Sequence, residues 1–196
     1  MRELSREDLL SLEQYAEQRA SFRRKLLPLR RLRRVALGEH VSLHFENRLT
    51  IQYQVQEMLR IERIFEPAEV QAELDIYNPL IPDGSNLKAT LMLEYADPCH
   101  RRVALAELVG IEHRMWLRVA GHERVWAIAD EDMPRADADK TSAVHFLRFS
   151  LDAAMTDALR GGAALALGCD HPAYAASIDA VPGTLRDALA ADLRDG

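Results

Sequence analysis

The stretch Tyr77-Asn78-Pro79-Leu80-Ile81-Pro82-Asp83-Gly84 divides the chain into two parts with different hydrophobic patterns. Each proline disfavours helix in the residue before it, so this stretch is predicted to be an extended, turn-rich linker. Apolar residues recur mainly at helical spacing before the linker, and they alternate as in strands after it. Helices followed by strands are typical of an α+β fold with an antiparallel sheet.

Before the linker, the pattern predicts three helices and one short strand. The first helix is expected over about 6–27 and is ended or kinked by Pro28, which lacks an amide donor. Val41–Phe45 alternates apolar and polar residues, as a strand does. The stretch 50–65 has near-helical spacing, although its beginning also alternates like one arm of a hairpin. A third helix is expected to open at Pro67, since proline suits the first helical position.

After the linker, strands dominate the predicted elements. They are expected at 87–95, 115–119, 125–129, 143–151 and 163–167, with helices near 152–160 and 184–193. We therefore expect a single domain over residues 1–196. Its helical N-terminal part (1–80) is expected to pack on an antiparallel sheet of four to five strands in the sheet-containing part (85–196).

Composition is that of an ordinary globular protein. The 196 residues are 48% hydrophobic and 29% charged, which excludes disordered and low-complexity classes. The two cysteines cannot form a disulfide framework, which favours a reducing compartment. No apolar run approaches the ~18 residues that a membrane span needs, and the charged first residues lack a signal core. These features predict a cytoplasmic protein that does not enter membranes.

Charge is distributed unevenly along the chain. The net charge is −6, yet residues 19–34 contain eight cations and no acid, so the remainder carries about −14. Such a block pairs with acidic surface of its own fold or of a second copy, docks an acidic protein partner, or binds nucleic acid. Nucleic acid is the least favoured, because Phe22 is the only aromatic residue in the block. The candidate partner-binding residues are Arg23, Arg24, Arg30 and Arg31.

Residues that could bind a metal ion are scattered along the sequence. Cys99-His100 and Cys169-x-His171 could supply four zinc ligands, but the spacing within each pair is shorter than in ordinary zinc sites. Glu57 and Glu62 with His44 could form a carboxylate site for iron, but the chain lacks the Glu-x-x-His pair of di-iron bundles. No cofactor is indicated, and iron and zinc are the ions that these residues would suit.

Three residues are candidates for chemistry or for lining a pocket. His171 lies in Asp170-His171-Pro172-x-Tyr174 after a predicted strand, where it could exchange a proton near neutral pH. The same segment could equally be a plain turn. Glu57 and Arg60 lie one turn apart on a helix, and such a half-buried pair either locks the fold or lines a pocket. The phosphate-loop, dinucleotide and nucleophile-elbow motifs are all missing.

Several segments resemble a known bacterial family. They are Phe45-Glu46-Asn47-Arg48-Leu49-Thr50, Gln54–Glu62, Tyr77–Pro82, Leu87-Lys88-Ala89-Thr90-Leu91, Lys140–Phe149 and Asp170-His171-Pro172-x-Tyr174. Together they are similar to the family catalogued as domain of unknown function 3501, over nearly the whole chain. That family has no established reaction, so the resemblance assigns no catalytic residue. It implies an association with rubrerythrin-like and iron–sulfur oxidoreductase proteins.

Two functional hypotheses follow. In the first, the chain is a non-catalytic accessory or interaction protein of a cytoplasmic redox or oxidative-stress system. It would bind a protein partner, or a second copy of itself, through the basic segment 19–34. In the alternative, it is an enzyme or a ligand- or metal-binding protein with a polar pocket built from Glu57, Arg60 and His171.

Overall fold

The computed structural model describes residues 2–133, 135–137 and 139–193. Six α-helices lie in these ranges: α1 (Leu12–Leu32), α2 (Arg48–Glu62), α3 (Pro67–Tyr77), α4 (Pro98–Glu107), α5 (Ala153–Arg160) and α6 (Gly183–Ala190). Nine strands accompany them: β1 (Arg34–Leu37), β2 (Val41–Phe45), β3 (Asn86–Leu93), β4 (Met115–Val119), β5 (Val125–Trp126), β6 (Ile128–Ala129), β7 (Val144–Ser150), β8 (Leu165–His171) and β9 (Tyr174–Ile178). Within the described residues, no helix combines the length and apolar character that a bilayer crossing requires.

The strands form two antiparallel sheets. Sheet A has five strands in the order β1-β2-β3-β7-β6, and sheet B has four in the order β5-β4-β8-β9. The α+β class is confirmed, and sheet A has the expected number of strands. Sheet A draws β1 and β2 from within residues 1–80, so a boundary at 80–85 does not separate helices from strands.

One continuous core fills the space between the inner faces of the two sheets and helices α4, α5 and α6. The sheets also meet at their edges, where the Tyr174 hydroxyl at the start of β9 donates a hydrogen bond of 2.5 Å to the Leu37 carbonyl of β1. Gly38 follows at φ 74°, and a Cβ there would lie 2.4 Å from the Tyr174 oxygen. Only glycine therefore fits this turn.

A second apolar cluster joins α2, α3 and the N-terminal segment, and amide side chains fasten that segment in place. Gln56 is fully buried and bonds both backbone groups of Leu10, at 2.7 and 3.2 Å. Asn78 does the same for Leu4, at 2.8 and 2.9 Å. Asn78 also lies in the predicted linker. The prediction of an extended linker over 77–84 is wrong at its start, because α3 runs to Tyr77 and a 3-10 turn follows at Asn78–Leu80.

Helix α1 differs most from its prediction. It begins at Leu12, capped by Ser11 and Gln14, because the Ser5–Asp8 box closes a separate 3-10 turn instead. It also continues through Pro28 to Leu32. Pro28 lies on the exposed side of the helix, where the carbonyl that loses its amide donor can bond to water.

The remaining elements agree with the sequence in part. Helix α2 is confirmed, with reciprocal capping between Asn47 and Thr50, which excludes the hairpin alternative. The predicted strand 125–129 is two strands, since β5 pairs with β4 in sheet B and β6 with β7 in sheet A. The predicted strand 163–167 begins and ends later, and it turns directly into β9, which the sequence did not predict.

Arg33 holds these parts together. It is 2% exposed at the end of α1. Its guanidinium donates hydrogen bonds to the carbonyls of Phe45 (2.9 Å), Glu46 (3.0 Å) and Ala188 (3.2 Å). It also forms a short ion pair with Asp192. One side chain thereby connects α1, the junction of β2 with α2, and the end of α6.

Replacing Arg33 with glutamine is expected to lower the free energy of unfolding by about 3–5 kcal/mol, because breaking a buried ion pair leaves buried charge without a partner. Urea unfolding measures the loss. Arg31→Gln, two residues earlier on an exposed position, is the matched control and should change stability little. Equal losses in the two variants would contradict the junction role of Arg33.

Candidate functional site

The structure divides the eight cations of residues 19–34 into two groups. Arg19, Arg33 and Arg34 form ion pairs with acids of the same chain, namely Glu57, Asp192 and Glu94 respectively, and the last of these pairs is exposed. The other five cations form no ion pair with any residue of the described ranges: Arg23, Arg24, Lys25, Arg30 and Arg31. All five are exposed. Internal pairing therefore accounts for only part of the basic segment.

Four of the unpaired cations share one side of α1. Arg23 and Arg30 are seven residues apart, as are Arg24 and Arg31, which places each pair in nearly the same direction two turns apart. Leu27 lies between the two rows and is 46% exposed. We call Arg23, Arg24, Arg30 and Arg31, with Leu27 at their centre, the basic face.

The basic face adjoins a cleft of about 500 Å³ between α1 and the outer face of sheet A. This sheet cleft is lined by Leu27, Arg30, Arg31, Arg34, His44, Glu46, Gln54, Thr90, Met92, Val144 and Phe146. Alternate residues of β2, β3 and β7 supply its floor, because side chains one position away point into the core. Apolar, cationic and anionic groups thus line one cavity.

Glu46 is the most deeply placed charge of the sheet cleft, at 4% exposure. Its Oε2 accepts a hydrogen bond from the Thr50 hydroxyl at 2.5 Å. Its Oε1 accepts hydrogen bonds from the Thr90 hydroxyl at 2.8 Å and from the Gln54 amide at 3.2 Å. All three donors are neutral, and no cation of the described residues lies within ion-pair distance of this carboxylate.

His44 also belongs to the sheet cleft, and not to a metal site. Its Nε2 lies 3.1 Å from the Ser42 hydroxyl. Burial, and then the charge of Arg34, lower the pKa of the imidazole. Arg34 is itself bound to Glu94 at 2.6 Å. His44 therefore contributes a neutral ring at neutral pH, and Arg34 has a partner already.

Glu57 and Arg60 do form an ion pair, but the contacts around it connect helices of the fold. Arg19 is the main partner of Glu57, through two bonds of 2.7 and 2.8 Å, and the buried Tyr15 hydroxyl donates a third bond of 2.6 Å. Arg60 lies farther away, at 3.4 Å, with its side chain 38% exposed. These contacts join α1 to α2. The sequence did not identify Arg19 as the partner, because it lies 38 residues away.

His171 closes the turn between β8 and β9. Its Nδ1 accepts a bond from the Ala173 amide at 3.2 Å, and its Nε2 faces the Val109 carbonyl at 3.1 Å. A carbonyl only accepts, so these two bonds place the proton on Nε2 and occupy both ring nitrogens. The described contacts therefore do not bring the predicted pocket residues together, since Glu57 and Arg60 belong to one network and His171 to another.

The other metal candidates lie apart as well. Cys99 and His100 are exposed on α4, Glu62 is exposed at the end of α2, and Cys169 is buried in β8. Both thiols are free, and burial raises the pKa of Cys169. Across residues 2–133, 135–137 and 139–193, no three His, Cys, Asp or Glu side chains are grouped as a metal site.

The sequence did not predict a buried polar network that surrounds His145. His145 is fully buried, with Nδ1 at 2.5 Å from Asp130 and Nε2 at 2.7 Å from the Thr141 hydroxyl. The order hydroxyl, imidazole, carboxylate is that of a proton relay. Thr141 is only 2% exposed, and the network joins Asp130, which follows β6, to His145 of β7.

We expect Arg19→Gln to destabilise the protein more than Arg60→Gln in urea unfolding. Arg19 makes two short bonds to a carboxylate that is largely buried, whereas Arg60 makes one long bond from an exposed position. Exposed pairs contribute about 0–1 kcal/mol, and the less accessible bidentate pair should contribute more. A larger loss for Arg60→Gln would show that the assignment of partners is wrong.

Glu57→Gln is expected to change how stability depends on pH. Hydrogen bonds from Arg19 and then Tyr15 lower the pKa of Glu57 from 4.5 to about 2. A carboxylate with a lowered pKa stabilises the fold fully above its ordinary pKa, and this contribution is lost as the pH falls towards the folded value. Wild type should therefore exceed the variant by about 1–3 kcal/mol above about pH 5, and by less near pH 3.

Urea unfolding at several pH values measures this difference. Glu17→Gln is the control, because Glu17 is exposed on α1 and pairs with no described cation. Its difference from wild type should stay flat over the same range. A flat difference for Glu57→Gln would contradict the lowered pKa.

Comparison with known proteins leads to one family. The crystal structure of a novel protein of unknown function from Burkholderia pseudomallei K96243 superposes on this chain with a TM-score of 0.94, and the two sequences are 50% identical. The match covers 98% of this chain and 100% of that one. No protein of curated function matches. The model of the family described as "Protein of unknown function (DUF3501)" matches residues 3–193, so the chain belongs to the DUF3501 family.

Proposed function

We propose that this protein is a non-catalytic accessory protein that docks an acidic partner protein through the basic face of α1. The observation that carries the proposal is the division of the basic segment. Its three internally paired cations stabilise the fold, whereas the four arginines of the basic face have no acidic partner among the described residues. Like charges this close repel each other, and an acidic surface would relieve that repulsion.

The chemistry of the basic face suits a protein better than a nucleic acid. Leu27 gives it an apolar centre surrounded by cations, as in interfaces with an apolar core and a polar rim. Phe22 and Tyr53, the rings beside it, stack on each other with centroids 5.8 Å apart. Binding of single-stranded nucleic acid favours free ring faces on which bases can stack.

The class of partner follows the family resemblance. An accessory role in a redox or oxidative-stress system would make rubrerythrin-like or iron–sulfur oxidoreductase proteins the first candidates. A cytoplasmic location belongs to the same proposal, and two free cysteines suit a reducing compartment. Self-association through the same face is the alternative within this function.

The test uses the full chain and a variant of the basic face, Arg23→Gln, Arg24→Gln, Arg30→Gln and Arg31→Gln combined. A matched control removes four exposed arginines elsewhere, with Arg101→Gln, Arg102→Gln, Arg114→Gln and Arg118→Gln. Partners that the full chain captures in a pull-down are identified and purified. Each one is then mixed, at low and at high salt, with the wild type, the basic-face variant and the control variant. We expect roughly tenfold weaker binding for the basic-face variant only, and slower association of wild type as salt rises.

Equal affinity of the two variants would overturn the proposal. Light scattering of the isolated protein detects the self-association alternative, in which the basic-face variant alone becomes monomeric. Binding of a duplex DNA probe of about 20 base pairs tests whether the basic face binds nucleic acid. Tight binding that falls log-linearly with salt and is lost in the basic-face variant would assign the face to nucleic acid instead.

A further inference from the structure

We propose that the sheet cleft binds a small amphoteric molecule of the amino acid or short peptide class. Its carboxylate would face Arg30 and Arg31, its ammonium group would face Glu46, and its apolar body would lie on the sheet. This site shares Leu27, Arg30 and Arg31 with the basic face, but it rests on a different observation and does not depend on partner docking. Arg30, Arg31 and Glu46 line one cavity, and none of them forms an ion pair with a described residue.

Glu46 provides the negative end. Burying a carboxylate is unfavourable unless it is paired or well hydrogen-bonded. The fold supplies three neutral donors, from Thr50, Gln54 and Thr90, and no described cation. An ionised carboxylate accepts about four hydrogen bonds, so one acceptor position remains. An ammonium group, with three donors and a positive charge, matches that remaining position.

Arg30 and Arg31 provide the positive end. Both line the sheet cleft, both are exposed, and neither is paired with an acid of the described residues. Arg30 lies over the Tyr53 ring at 5.9 Å, a contact that leaves its donors free. Guanidinium groups bind carboxylates with two parallel bonds, which makes them suited to this end of the ligand.

Between the two ends the surface is apolar. Leu27 lies on the α1 side, and Met92, Val144 and Phe146 line the sheet side. The volume of about 500 Å³ lies within the roughly 300–1,000 Å³ that small-molecule sites occupy. An apolar or aromatic side chain of the ligand would be covered by these residues.

The neighbouring cavity on the same sheet face is different. It measures about 370 Å³ and shares Phe146 with the sheet cleft. Its cations are already bound, Arg148 to Glu131 at 2.7 Å and Lys88 to the Pro79 carbonyl. Both cations of that cavity therefore have a partner in the fold, whereas Arg30 and Arg31 of the sheet cleft form no ion pair with a described residue.

Calorimetry with the full chain tests the proposal. The probes are the standard L-amino acids and their dipeptides with alanine, up to millimolar concentrations. We expect at least one to bind, and roughly tenfold weaker binding when its amine is acetylated or its carboxylate amidated, since each change removes a charge-assisted bond. Failure of every probe to bind, or unchanged affinity after acetylation, would overturn the proposal.

Variants locate the site. Glu46→Gln and the double variant Arg30→Gln with Arg31→Gln should each lose at least tenfold in affinity for the probe. Arg23→Gln with Arg24→Gln is the control, because these cations lie on the same helix but outside the cleft. If Glu46→Gln does not fold, the double variant Arg30→Gln with Arg31→Gln decides the matter, because both of these residues are exposed.

The two proposals fail separately. Arg23→Gln with Arg24→Gln should weaken partner docking and leave probe affinity unchanged, whereas Glu46→Gln should do the reverse. Probe binding that survives in both Glu46→Gln and the double variant Arg30→Gln with Arg31→Gln would place the ligand elsewhere and overturn the assignment of the cleft.

Discussion

The N–H groups of a buried guanidinium all need hydrogen-bond acceptors, because water is no longer there to accept from them. The buried Arg33 side chain therefore requires several distant segments of the chain to meet around it. Two of its acceptors belong to the junction of β2 with α2, and the other two lie at the end of α6, more than 150 residues after Arg33 along the chain. These segments can meet only if α1 ends where it does. Arg33 thereby links the end of α1 to sheet A, the two elements between which the sheet cleft lies.

Local patterns predicted the elements that depend on local chemistry. Val41–Phe45, Met115–Val119 and α2 follow from alternation, helical spacing and reciprocal capping by Asn47 and Thr50. The sequence did not reveal that the strands form two sheets, because sheet membership depends on partners far along the chain. Residues 125–129 read as one strand and are shared between both sheets for this reason.

The candidate site was predictable in pieces. The basic segment was evident from the sequence, and His44 was singled out there, although as a metal ligand. The sequence could not show which of the cations form ion pairs within the chain. Arg19 is bound by Glu57 and Arg33 by Asp192, while Arg30 and Arg31 are left available. The outward positions of β3 and β7, Thr90 and Phe146 among them, become visible only once strand alternation is assigned to a core side and an outer side.

The lengths of the edge strands bear on how copies of this protein can meet. An exposed edge strand is a template on which another chain can add a strand and begin to aggregate. Here β5 and β6, at one edge of each sheet, have two residues apiece, too few to hold an incoming strand. The opposite edges, β1 and β9, approach each other where Tyr174 bonds to Leu37. The short edge strands and the contact between β1 and β9 thus discourage strand addition between copies of the molecule.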